Sequence, residues 1–332
     1  MQERVTLAVD LGGTKTAVAV VSQSGVILAR LQEPTGQDGP GPGIDQLERM
    51  ARAAAAAAGW LLSEIDCVGI GIPAVLEEGT DRVIWAPNIS GWRDFDLRGQ
   101  LSGRLGLPVY MEYDGHTAAL AEWWLGVGRG CRSLVSVIIG TGIGGGMILD
   151  GHLYRGMNRL AGAAGWFALT ENAMDQDGRS QSLGHWESLA AGPGMAMRAQ
   201  SGLSEQPGSL LHDLAKDHEI SCADILSAAK AGDRYGMVLA NQLADWLGLG
   251  IANIVSLINP ECVILGGGVG SNVAILLDRI RSVVQRWAQP VSARSVQISV
   301  SQLGSTAGLL GAAFGAMLRR QAEKPAPFPE KQ

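Results

Sequence analysis

Apolar residues fall into short unbroken runs punctuated by glycine, and the punctuation repeats. Val5–Asp10 is one such run, too short and continuous for an amphipathic helix, and it reads as a buried strand. Gly12-Gly13-Thr14 turns it. Lys15–Val21 then reads as a second strand and, after Ser24-Gly25, Val26–Leu31 as a third strand of one meander. Leu134–Ile139, the turn Gly140-Thr141-Gly142 and Gly144–Leu149 repeat the strand–glycine turn–strand unit. This echo predicts a duplicated domain. Between the two units, helical spacing and alanine content predict a helix over Ile44–Trp60. Cys67–Ile72 reads as a strand stopped by Pro73, and Val83–Trp85 as another. Asp94–Leu105 reads as a short helix, Pro108–Glu112 as a strand leading to Asp114, and His116–Leu125 as a helix.

Further on, polar and unpatterned Asn172–Ser182 reads as a loop. Tyr235–Leu257 has long helical spacing ended by Asn259-Pro260. Cys262–Leu265 is strand-like and runs into Gly266-Gly267-Gly268. Ala274–Trp287 reads as a helix, Val296–Val300 as a strand, and Gly308–Arg319 as a helix rich in small residues. Three prolines after Lys324 predict a disordered tail.

Bulk properties narrow the classes. A chain of 332 residues is long enough for two domains with real cores. Hydrophobic residues at 46% and charged residues at 17% are globular values. The net charge of −6, with no Lys/Arg cluster, argues against a nucleic-acid partner. It does not argue against ATP, whose phosphates can be met by backbone N–H groups and Mg²⁺. The N-terminal stretch goes from charged residues straight into a strand, so no signal peptide is expected. No uninterrupted apolar stretch reaches membrane-spanning length, so no membrane association is expected. Cys67, Cys131, Cys222 and Cys262 form no CxxC pair and read as free thiols of a reducing cytoplasm.

The chemistry concentrates in three glycine turns that follow strands: Asp10–Thr16, Gly140–Gly146 and Gly266–Gly270. Glycine lets backbone approach a phosphate closely, with N–H groups free to point at it. GxxxxGK[ST] is absent at these turns, and the first two lead into a strand, where a dinucleotide fingerprint would open a helix. Strand–turn–strand clamps point to the α/β, two-lobed actin-like or hexokinase-like (ribonuclease H-like) ATPase fold.

On these residues the chain resembles the ROK family of sugar kinases and repressors. The likeness runs through LAVDLGGTKTAVAVV, Gly69–Pro73, Ala86-Pro87-Asn88, Glu112–Gly115, the GTGIGGG turn, Leu160-Ala161-Gly162 and Ile258-Asn259-Pro260-Glu261. It implies ATP as phosphoryl donor with Mg²⁺, and a small sugar-like acceptor. Asp114 takes the place of the catalytic aspartate that accepts or orients the acceptor's hydroxyl proton. Asp10 takes that of a carboxylate near the metal, through water. Gly12, Gly13, Thr14 and Lys15, with Thr141 and Gly142, would contact phosphates, and Gly267 and Gly268 would pack beside the adenosine. The resemblance also implies a homodimer and two lobes that close on the substrates. The first lobe is read as residues 1–115, completed by a C-terminal helix at about 305–322. The second is 116–304 with nucleotide and dimer contacts, and 323–332 is the tail. Pro34–Gly43, rich in Pro and Gly, reads as a loop, either mobile near the site or plainly connecting.

The acceptor motifs depart from the family. Tyr113 stands where an Asn usually precedes the catalytic aspartate, and His116 stands where Asn is common. The ExGH motif is replaced by Ala163-Ala164-Gly165-Trp166. No cysteine occurs over Asp177–Gly184, where many relatives hold a zinc cluster, and His185 alone predicts no zinc. Glu187 and Asn88 match. The acceptor pocket is therefore read as Asn88, Tyr113, Asp114, Trp166 and Glu187, with His116 as a further wall. Trp186 has a weaker positional claim. Losing Asn, Glu and His removes directional hydrogen bonds worth about 1.5–3 kcal/mol each when charged and buried. Aromatic replacements can stack on a ring face or an apolar substituent. The expectation is a working kinase with an altered acceptor; the alternative is a catalytically weak sugar- or nucleotide-binding sensor. A repressor is not expected, because only four residues precede Val5 and leave no room for a helix-turn-helix.

Overall fold

The computed structural model describes residues 4–170 and 184–323. In chain order the elements are β1 (Val5–Leu11), β2 (Lys15–Ser22), β3 (Ile27–Pro34), α1 (Pro40–Ala57), β4 (Cys67–Ile72), β5 (Val75–Leu76), β6 (Val83–Trp85) and β7 (Arg93–Phe95). Next come α2 (Leu97–Leu105), β8 (Val109–Tyr113), α3 (Asp114–Trp124), β9 (Leu134–Ile139), β10 (Ile143–Leu149) and β11 (His152–Tyr154). Then follow α4 (His185–Ala190), α5 (Gly192–Gly202), α6 (Leu211–Leu214), α7 (Cys222–Lys230) and α8 (Arg234–Ile258). The last are β12 (Cys262–Gly266), α9 (Gly267–Gly270), α10 (Leu277–Trp287), α11 (Pro290–Ser295), β13 (Gln297–Val300) and α12 (Ala307–Ala322).

Two compact units result. Among the described residues, the first takes residues 4–125, the short segment Arg155–Leu160, and residues 306–323. The second takes, again among the described residues, Gly126–Tyr154 and residues 161–170 and 184–305. The first unit thus runs past residue 115 to include all of α3, which packs along α12. A Cβ on Gly311 would lie 1.7 Å from the Thr117 carbonyl oxygen, and one on Gly69 would lie 2.0 Å from that of Ala312. Glycine at both places lets α12 approach α3 and the sheet at backbone distance.

The first unit's main sheet has the order β3-β2-β1-β4-β8, with β1 antiparallel to β2 and parallel to β4. The second unit's has the order β11-β10-β9-β12-β13, with β9 antiparallel to β10 and parallel to β12. The repeated topology is the structural form of the echo between the glycine turns. In the second unit Leu239, Leu243, Leu247, Ile251 and Val255 line one face of α8 and join the core. Among the described residues α8 is the one helix long and apolar enough to cross a membrane, judged by length and composition alone. Asp245 interrupts its apolar run.

Several boundaries differ from expectation for local reasons. Helix α1 begins at Pro40 rather than Ile44, since proline at a first turn has no N–H to lose. The loop expected over Pro34–Gly43 therefore shrinks to residues 35–39. Arg93–Phe95 pairs with β6, and α2 starts only after Asp96, whose carboxylate accepts from the Gly99 N–H at 2.8 Å. Helix α3 begins at Asp114, not His116. The sequence reading misses α4–α7, α9 and α11, which are short or glycine- and proline-interrupted; α9 stands where Gly266–Gly270 reads as a turn. The expected loop Asn172–Ser182 and the tail beyond Glu323 lie outside the described residues.

Candidate active site

In the first unit, strand β1 delivers Asp10 to the mouth of the first glycine turn. The turn's carbonyls are all engaged. Gly12 accepts from Thr35 Oγ1 at 2.7 Å, Gly13 from Gln37 Nε2 at 2.8 Å, and Thr14 from the Thr35 N–H at 3.0 Å. The Gly12 N–H donates to the Lys15 carbonyl at 3.0 Å, and tying down the carbonyls leaves the N–H groups of Gly13 and Thr14 to face an anion. A Cβ on Gly13 would sit 2.4 Å from the Asn88 carbonyl oxygen, so Asn88 backs the turn through its main chain. Thr14 and Lys15 are exposed beside it. Thr35 and Gln37 were missed from sequence, because they sit in a segment that reads as connection only.

Asp114 opens α3 directly after β8 and is half-buried. Its Oδ1 accepts from the Gly115 N–H at 2.8 Å, and its carbonyl from Thr117 Oγ1 at 2.7 Å. Burial, and then the charge of Asp10, push its carboxyl up to about 6, against the pull of the Gly115 N–H. Asp10 is raised too, by burial against the pull of Lys15 and Arg30. A Cβ on Gly308, at the start of α12, would fall 2.5 Å from the Asp10 carboxyl carbon, so a glycine is needed there to seat Asp10. Two neighbouring carboxylates that each resist ionisation are an environment that a divalent cation would relieve. Oxygen donors are what Mg²⁺ takes, so the chemistry of these two carboxylates fits that ion.

Tyr113 is half-buried, and its ring meets His116 edge-on, centroids 5.3 Å apart. His116 is wholly buried. It supports Tyr113 from within and does not form an open wall.

In the second unit the other two glycine turns come together. Gly192 N–H donates to the Gly140 carbonyl at 2.8 Å, so α5 starts on the Gly140–Gly142 turn. Gly267 has φ +82°, and a Cβ there would lie 2.5 Å from the Ile139 carbonyl oxygen. A Cβ on Gly140 would lie 3.9 Å from the Gly268 nitrogen. Thr141 is exposed at the tip. Glu187, on α4, reaches the same turn, its Oε2 accepting from the Ile143 N–H at 2.7 Å. Burial raises the Glu187 carboxyl against that bond. A Cβ on Gly142 would come 2.6 Å from Glu187 Oε2, and one on Gly165 3.1 Å from it. The replaced ExGH stretch therefore packs on Glu187 through Gly165, while Trp166 stays 58% exposed.

Trp186 does not belong to this group. It is fully buried, stacks on Phe167 at 5.8 Å, and donates Nε1–H to the Trp246 carbonyl at 2.9 Å. His185 is buried and accepts from the Leu169 N–H at 3.0 Å. Among the described residues no three His, Cys, Asp or Glu side chains stand together as metal ligands.

Comparison with known proteins identifies the family. The ROK family profile matches residues 6–318. The chain is 32% identical over 333 residues to the glucokinase of Halalkalibacterium halodurans, covering 97% of each chain. Among solved structures, the ROK family glucokinase from Streptomyces griseus, in complex with glucose and AMPPNP, is 32% identical with a TM-score of 0.78. That match covers 93% of this chain and 98% of the other. The ROK hexokinase from Thermus thermophilus is 30% identical with a TM-score of 0.77, over 96% of this chain and 99% of the other.

Proposed function

The chain belongs to the ROK family, with its actin-like ATPase fold, and from that premise we propose that this sugar kinase moves the γ-phosphoryl group of ATP to a hydroxyl of a sugar-like acceptor. One observation carries the catalytic assignment: Asp114 at the first turn of α3, its carboxyl pushed up to about 6 beside Asp10. A carboxylate so tuned is a better proton acceptor than an ordinary one. The acceptor hydroxyl gives its proton to Asp114 as its oxygen bonds to phosphorus. The bond between that phosphorus and the β–γ bridging oxygen breaks, and ADP leaves. The turn at Gly12-Gly13-Thr14 with Lys15, and the turn at Thr141-Gly142, supply N–H donors and charge to the phosphates. Gly267 and Gly268 leave room for the adenosine. Mg²⁺, held through water by Asp10, would neutralise phosphate charge.

The acceptor set proposed on the family resemblance is Asn88, Tyr113, Asp114, Trp166 and Glu187. Alanines at 163 and 164 and Trp166 in place of ExGH favour an acceptor that offers a ring face or apolar substituent in exchange for hydroxyls. On the family resemblance the chain is also a homodimer, which sedimentation equilibrium tests by mass. The four cysteines form no disulfide, which suits a reducing cytoplasm.

The decisive experiment is ADP release with Mg-ATP across hexoses, N-acetylhexosamines and polyols. We expect turnover with at least one acceptor and a loss of about 10²-fold or more in Asp114→Asn. Absence of turnover across the panel, with ATP still bound, would instead favour the sensor reading.

A further inference from the structure

Among the described residues strand β8 is an edge strand, paired on one side with β4, so outward-facing backbone groups on its other side have no strand partner there. Side chains serve instead. The Met111 carbonyl accepts from Arg159 Nη2 at 2.8 Å and from Arg319 Nη1 at 3.1 Å. The next residue, Glu112, is only 4% exposed. Arg155 grips it with Nε and Nη2, 2.8 and 2.5 Å from Oε2, and Arg159 Nη2 lies 2.8 Å from Oε1. Arg159, itself buried, also donates to buried Asp81, whose second oxygen meets Arg319 at 2.9 Å. Burial works against ionised Glu112, and Arg155 chiefly overcomes it, so the carboxyl titrates below its ordinary range.

These groups all belong to the first unit, and Arg155–Leu160 is the short segment that the unit takes from the middle of the chain. Its guanidiniums stand in for a missing strand along β8. They hold Met111 and Glu112, the residues immediately before Tyr113-Asp114.

We propose that Arg155, Arg159 and Glu112 are positioning residues that fix the end of β8 and so aim the Asp114 carboxylate. This rests on reading Asp114 as the catalytic base. A purely structural ion cluster would affect folding and leave turnover per folded molecule alone. A positioning cluster affects turnover, since a displacement of about 1 Å at a reacting group can cost 10²-fold.

Arg155 is the residue to change, because its side chain is 36% exposed and its loss leaves Glu112 bonded to Arg159. Arg155→Met keeps the stem and removes the fork. We expect kcat to fall about tenfold or more per folded molecule, with KM for Mg-ATP within about twofold of the parent. Arg155→Lys should recover part of the loss, since it restores charge without the bidentate grip. A kcat loss smaller than about threefold in Arg155→Met overturns the proposal. Should that variant not fold, Glu112→Gln is judged by the same threshold. Asp114→Asn in the same assay separates the two failures. An active Asp114→Asn sinks the catalytic reading, whereas an inactive one beside an unimpaired Arg155→Met sinks only the positioning role.

Discussion

At the scale of single residues, Asp114 couples function to stability with a definite sign. Its carboxyl, pushed up to about 6 in the fold, has an ordinary value near 3.8 when unfolded. Between those values the folded chain keeps a proton that the unfolded chain has released. Stability from this group therefore falls as pH rises through that window, and the full cost remains above it. Allowing for its partial exposure, the cost is about 1–2 kcal/mol. Asp114→Asn keeps an oxygen for the Gly115 N–H and removes the charge. It should raise the Tm of the nucleotide-free protein by about 2–4 °C at pH 8 and leave it unchanged near pH 4. An equal gain at both pH values would show that the effect is not ionisation. Sequence alone named Asp114 and Asp10. It did not reveal Gly308 beneath Asp10, because that contact joins residues some three hundred positions apart.

At the scale of elements, the glycine turns were legible as turns, because strand–glycine–strand spacing is local. Their supports were not. Thr35 and Gln37 engage the first turn's carbonyls from what reads as a plain linker, and Glu187 braces the second from a helix that was not expected. Helix α4 carries too few apolar positions to show a period, so only the family motif marked Glu187. The two turns should respond differently to a single methyl group. At Gly142 the methyl meets a movable carboxylate, that of Glu187. Gly142→Ala should fold, with Tm within a few degrees of the parent, while KM for the acceptor rises about tenfold as Glu187 is displaced. At Gly13 the methyl meets the Asn88 backbone, which cannot step aside. Gly13→Ala should cost stability, on the order of 1–3 kcal/mol, as well as activity. Urea midpoints and acceptor titrations measured together check both, and a Gly142→Ala with unchanged acceptor KM would remove Glu187 from the acceptor set.

At the scale of the whole molecule, the duplication was readable because each half opens with its own strand–turn–strand unit. The assignment of α12 to the first unit was readable only through family likeness, since nothing local ties residues 307–322 to β1 and β4. In the structure that tie is made of absent side chains. Gly311 and Gly69 admit α12 to backbone distance from Thr117 and from the sheet, and Ala312, Ala313 and Ala316 continue the close face. A side chain at 311 would meet a carbonyl oxygen of α3 at 1.7 Å, so the helices must part. Parting them exposes apolar surface and displaces Gly308 from beneath Asp10. Gly311→Val should therefore cost more than about 3 kcal/mol and abolish turnover together with the fold of this unit. Limited proteolysis checks the claim, with new cuts expected in α3 and β4 ahead of any in α8. If Gly311→Val resists protease like the parent, the close packing of α12 is not what holds the first unit together.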